Sequence, residues 1–207
     1  QPTYLSRSVG LVNSVESTAW KTLPYWQNGE LVVNSSGLSM GSSQYIGWRY
    51  SPVSNTINIT IHVTSFPSRD YNPGIAIYSP NIGDQSADTN SGFYALLIDF
   101  YGGGIYYHSP STSYSEIYTS LPQPNPNYPF TFTVILAENP SSGDVIVSRI
   151  YINNTAYTIN VNTPFPWSQI GYVAIRGDSG NLFNVSYFGV SPVYLGPYFA
   201  TSRLYLT

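Results

Sequence analysis

The chain has 207 residues, of which 42% are hydrophobic and only 8% charged, with a net charge of −3 and no cysteine. That length and apolar share suit one domain with a sizeable core and exclude a disordered chain. The missing cysteines exclude disulfides and thiolate metal sites, and seven Lys and Arg without a basic cluster exclude a nucleic-acid-binding surface.

No apolar run reaches the roughly 18 residues that a membrane-spanning helix needs. Ser, Asn, Thr and Tyr occupy the polar positions that charges usually fill. With only ten carboxylates there are few ion pairs to lose in acid, which fits an acidic setting. A start at Gln1 with no signal peptide reads as a mature, secreted chain.

In chain order, QPTYLSRSVGLVNSV comes first. Leu5, Arg7, Val9, Leu11, Asn13 and Val15 share one face at period two, the pattern of a half-buried strand. It is either an edge strand of its own domain or a strand donated to another subunit. Residues 1–19 are read as this tail and residues 20–207 as the head domain.

Strands are then predicted at Tyr45–Tyr50, Thr56–Ser65, Gly74–Ser79, Phe93–Tyr101, Ile105–His108, Tyr114–Thr119, Phe130–Ala137, Val145–Ile152, Thr155–Val161, Ile170–Arg176 and Leu182–Val190. The clearest is TINITIHVTS, with Ile57, Ile59, Ile61 and Val63 on one face. IYINNTAYTINV reads as a hairpin tipped by Asn153-Asn154, and the proline-rich Leu121–Pro129 as an extended surface connection. No helix is predicted, so the fold class is all-β: an antiparallel β-sandwich, Ig-like, pilin-like or jelly roll, with an N-terminal extended donor strand.

Four motifs invite a chemical reading. RGDSG, Arg176–Gly180, contains the GDSG string of chymotrypsin-like proteases, but neither His62 nor His108 has the flanking pattern of that family, and a polar turn is the simpler reading. GGG at Gly102–Gly104 reads as a corner between strands rather than an oxyanion hole. Asp99, Glu116 and Glu138 are the carboxylates from which a glycosidase pair would come, and no close-spaced triplet supports one. Asp84, Asp88 and Asn90 begin with EF-hand spacing but reach Ala95 where the loop needs Glu, so a solvated loop is expected. No catalytic residue, metal or cofactor is assigned. Sequons stand at Asn34, Asn58, Asn153 and Asn184, a number that chance alone gives in so Ser/Thr-rich a chain, and a covalent crosslink at Lys21 stays open.

The cysteine-free, Ser/Asn/Thr/Tyr-rich chain with a strand-like tail resembles the thread pilins of thermoacidophilic archaea. That resemblance implies an extracellular cell-surface filament serving adhesion, with identical subunits joined head to tail. By the same resemblance Leu5, Val9, Leu11 and Val15 would be the donor set, and the sequons Asn34, Asn58, Asn153 and Asn184 would carry N-linked glycans. A second resemblance covers roughly Gly92 to Val190: FYALLIDFYGGGIYYHS, FTFTVILA, VIVSRIYINN and NLFNVSYFGV look like the strand order of concanavalin-like and laminin-G-like jelly rolls. It implies carbohydrate binding through exposed aromatics, with Trp48, Trp167 and the tyrosines as candidates, although core packing and surface hydrogen bonding are the simpler reading of those rings. A filament subunit is therefore the main expectation, a lectin-like or adhesin domain the alternative, and a jelly-roll glycosidase the third.

Overall fold

The alternation read from the sequence builds two facing antiparallel sheets. The computed structural model describes residues 6–13, 25–28, 31–34, 37–40, 45–83, 85–87, 92–178 and 180–194. Leu5, Val15, Lys21, Asp84, Asp88, Asn90 and Ser179 lie outside the described residues. The strands are β1 (Ser6–Asn13), β2 (Tyr25–Asn28), β3 (Leu31–Asn34), β4 (Gly37–Met40), β5 (Tyr45–Arg49), β6 (Thr56–Ser68), β7 (Gly74–Tyr78), β8 (Ala95–Asp99), β9 (Ile105–Ser109), β10 (Thr112–Tyr118), β11 (Phe130–Glu138), β12 (Asp144–Ile152), β13 (Thr155–Pro166), β14 (Tyr172–Arg176) and β15 (Leu182–Tyr194). Among the described residues there is no α-helix, only short 3-10 turns at Pro80–Ile82 and Trp167–Gln169.

The first sheet runs β13-β12-β11-β6-β15-β4-β3, and the second β10-β9-β8-β7-β14-β5-β2. Inward residues of both sheets form one core. Ile57, Ile59, Ile61, Phe130, Phe132 and Val134 come from the first sheet, and Ile75, Ile77, Leu96, Ile98, Val173 and Ile175 from the second. Phe100 ties them together, with edge contacts to Phe130 and Phe183. Trp48 and Trp167, candidate sugar platforms in the sequence, belong to this core: Trp48 is 0% exposed, against Phe188, and Trp167 is buried. Burying an indole gains more than exposing it, and neither ring is available to a ligand.

The second sheet buries its outer face too. Ala76, Tyr78, Ala95, Leu97, Tyr172 and Ala174 point outward and are covered by Ile82, Ala87 and Phe93. The connection from Ser79 to Tyr94 carries these lids. Ser79 closes it at both ends: its N–H donates to the Tyr94 carbonyl, and its hydroxyl accepts the Tyr94 N–H at 2.8 Å. Strands buried on both faces read as continuous apolar runs, as GIAIY, ALLID and YVAIR do.

β1 pairs antiparallel with the C-terminal half of β15 in its own chain, on the edge whose other part pairs with β4. Val9 and Leu11, two of the expected donor residues, are buried there, together with Val12. A register shift between Gly10 and Val12 breaks the strict alternation and lets Leu11 and Val12 both turn inward. A second shift, between Arg7 and Val9, leaves Arg7 exposed instead of on the predicted inward face. Gly10 faces Gly189 across the ladder, and the Tyr187 ring fills the space: a Cβ on Gly10 would stand 3.0 Å from Tyr187 Cε1.

The hairpin at Asn153-Asn154 is present, and Asn153 holds the positive φ of 55° that its turn requires. Asn153 and Asn58 are exposed, Asn184 is half-buried with its amide donating to Ser65, and Asn34 falls in β3.

Candidate functional site

Register brings the chemistry to one end of the second sheet. Arg176 of β14 lies opposite Gly74 of β7, and Gly74 lies opposite Asp99 of β8. Gly74 is a close-approach glycine: a Cβ there would overlap the Ile98 carbonyl oxygen, so its absence lets β7 and β8 pack tightly between the guanidinium and the carboxylate. Tyr106 of β9 pairs with Glu116 of β10 one strand further on.

Asp99 is 0% exposed and organises the loops around it. Its Oδ1 accepts the N–H groups of Tyr101 and Gly102 at 2.8 and 2.7 Å, and its Oδ2 accepts the Asn72 N–H at 2.9 Å. Burial raises its pKa; the bonds from Gly102, Tyr101 and Asn72 work against that, and the charge of Glu116 adds to it. The glycine run is a corner, as expected. Gly103 has φ +78°, and the Gly102 N–H is already committed to Asp99. A Cβ on Gly102 would come within 2.8 Å of Tyr71, so the glycine also keeps a groove open.

The segment Arg69–Pro73 is held from both sides. Asn181, itself buried, accepts the Asp70 N–H at 2.8 Å and donates to the Tyr71 carbonyl at 3.3 Å. The Phe100 N–H donates to the Pro73 carbonyl at 3.1 Å. Asn72 sits at φ +78°, where Asn is among the few side chains at ease. Its Oδ1 is buried with no hydrogen-bond partner among the described residues. A buried acceptor left without a partner is a feature expected of a ligand site.

Two concavities result. One, of about 230 Å³, is lined by Asn72, Leu97, Tyr106, Tyr114, Glu116, Arg176 and Asp178. The other is an open groove of about 280 Å³ lined by Tyr71, Tyr101, Gly102 and Gln123. Tyr71 is 64% exposed, and its ring lies 6.3 Å from that of Tyr101, which packs in turn on Phe66 at 5.5 Å. Within the cavity, Arg176 donates to the Tyr114 hydroxyl at 3.2 Å, faces Asp178 at 3.8 Å and stands 5.2 Å over the Tyr114 ring. Burial, then a hydrogen bond to Glu116, pushes the Tyr106 phenol up to about 12, so it stays a neutral donor.

Arg176 and Asp178 come from the RGDSG turn, which the sequence reads only as a turn. No triad accompanies it: His62 bonds Thr131 in the first sheet, and His108 is buried and stacked on Phe93 at 4.2 Å. Of the carboxylates weighed as a hydrolytic pair, Asp99 has both oxygens engaged by backbone N–H groups. Glu138 stands in the other sheet. No group of three or more His, Asp or Glu that could hold a metal ion lies among the described residues. None of their helices is long and apolar enough to cross a membrane.

No protein-family model matches the chain. Over 191 residues it is 60% identical to "Putative transmembrane protein ORF1334" of Acidianus two-tailed virus; the match covers 90% of this chain but 14% of that protein. Among solved structures it is similar to the potassium-bound carbohydrate recognition domain of Emp46p: TM-score 0.52, 16% identity, covering 87% of this chain and 95% of that one. It is also similar to an alginate lyase Aly36B variant in complex with alginate tetrasaccharide, with TM-score 0.50 and 12% identity over 94% of this chain and 98% of that one. At those identities the likeness is one of fold: an all-β jelly-roll sandwich of the lectin-like kind.

Proposed function

We propose that the chain is a glycan-binding module, displayed on an outer surface as part of a longer, membrane-attached protein. The groove of Tyr71, Tyr101, Gly102 and Gln123 carries the reading. It offers an exposed aromatic face beside a few fixed polar groups, the make-up of a small-molecule site. Asn72, the residue after Tyr71, lines the polar cavity, so a second place for a chain of hydroxyls to bind lies next along the same loop. The jelly-roll likeness to a carbohydrate recognition domain supports it, as does a relative named as a transmembrane protein and much longer than this chain.

Tyr71→Ala is expected to leave the fold intact, because the ring is 64% exposed, and to weaken oligosaccharide binding at least about fivefold, some 1 kcal/mol. Titration calorimetry of the two proteins against the same oligosaccharide checks this. Unchanged affinity would remove the groove from the site.

The filament remains a second reading because of where β1 lies. It is the first strand of the described residues, and among them it pairs with an edge of β15. The same pairing made with the next copy would propagate head to tail. Thin filaments in micrographs of the purified protein would support this, and compact single particles would oppose it.

A further inference from the structure

We infer that this site takes uncharged glycans and turns away those carrying carboxylates or sulfates. The inference rests on the glycan-binding reading and names its substrate class. Glu116 and Asp178 line the cavity, and Asp99 closes the corner beside it. Asp99 lies near enough to Glu116 for the two charges to act on each other. Among the described residues lining the cavity, the cation against these carboxylates is Arg176, which is 3% exposed. Its Nη1 donates to Tyr114 and its Nη2 faces Asp178, so its charge is already met within the wall. The Arg176–Asp178 pair thus cancels within the wall, and the charge an anionic sugar entering from solvent meets is that of exposed Glu116.

The groups on offer suit neutral hydroxyls instead. Carboxylate oxygens and the buried Asn72 Oδ1 are acceptors, and each sugar hydroxyl brings a donor. The Tyr71 and Tyr101 faces take an apolar sugar face without regard to charge. Like charges brought together at a partly desolvated site oppose binding strongly enough to decide between ligands of equal size.

The test is binding at pH 7 of neutral glucan and mannan hexasaccharides against oligogalacturonate of the same length, for the natural chain and Glu116→Gln. The neutral sugars are expected to bind at least about tenfold more tightly, a gap of about 1.4 kcal/mol. Glu116→Gln is expected to narrow that gap by improving the uronate. Glu116 is exposed, so the substitution leaves the fold in place. Oligogalacturonate binding as well as the neutral sugars, or a gap that Glu116→Gln does not narrow, overturns the inference and leaves glycan binding standing. Binding by neither class overturns both.

Discussion

Asp99→Leu is expected to lower the unfolding free energy by about 3–5 kcal/mol, a fall of roughly 10 °C in Tm. Leu is similar in size but accepts nothing. It would leave the N–H groups of Asn72, Tyr101 and Gly102 without their shared acceptor at a half-buried corner. The loop carrying Tyr71 and the corner carrying Gly102 would separate, so ligand binding is lost along with stability. Asp99→Asn keeps an acceptor for Tyr101 and Gly102 and is expected to cost less.

The same pair of variants reads the pH dependence. The folded state raises the pKa of Asp99 above 3.8, mainly through burial. The folded chain thus holds this proton more tightly than the unfolded one. This group's contribution is most favourable below 3.8 and diminishes as pH rises through the folded value. Between neutrality and that value, acid therefore strengthens the fold through Asp99, the reverse of a salt-bridged carboxylate. Calorimetry should show that the natural chain gains more than Asp99→Asn on going from pH 7 to mild acid. Equal gains would contradict this account of Asp99.

Leu11→Asp is expected to cost about 3–5 kcal/mol. Leu11 is 0% exposed beneath the first sheet, in a core cluster whose described members are hydrophobic and offer no cation to a carboxylate. Arg7→Asp is the control, since Arg7 is exposed on the same strand and its replacement should leave the denaturant midpoint unchanged. With β1 released, the β15 edge it covers is open to other chains, and size-exclusion chromatography should show larger species. A midpoint unmoved by Leu11→Asp would mean that β1 does not hold this place in solution.

Much of this architecture was legible in local pattern. TINITIHVTS and FTFTVILA alternate because one face of the first sheet meets the core and the other meets solvent. The Asn153-Asn154 tip announces its hairpin through turn chemistry. The short strands β2, β3 and β4 gave no such signal and were not predicted. Val12 went unrecognised because a register shift suspends the alternation that selected Val9 and Leu11.

The site was the least legible part. Tyr71, Asp99, Glu116, Gln123 and Arg176 are scattered over a hundred residues and meet only through the β10-β9-β8-β7-β14 order. The jelly-roll resemblance offered Trp48 and Trp167 as sugar platforms, against core packing as the simpler reading. Trp48 instead lies on the inward face of β5, and the exposed ring is a tyrosine in a loop. The Asp-Tyr-Asn-Pro-Gly run at Asp70–Gly74 was the available clue, since Asn before Pro followed by Gly marks a tight, constrained loop.

The most direct measurement is a two-dimensional amide NMR titration of the chain with a neutral oligosaccharide. The account predicts that the amides of Tyr71, Asn72, Tyr101, Gly102 and Gln123 shift together and saturably, while those of β11, β12 and β13 stay still. Shifts confined to the first sheet, or none at millimolar ligand, would contradict it.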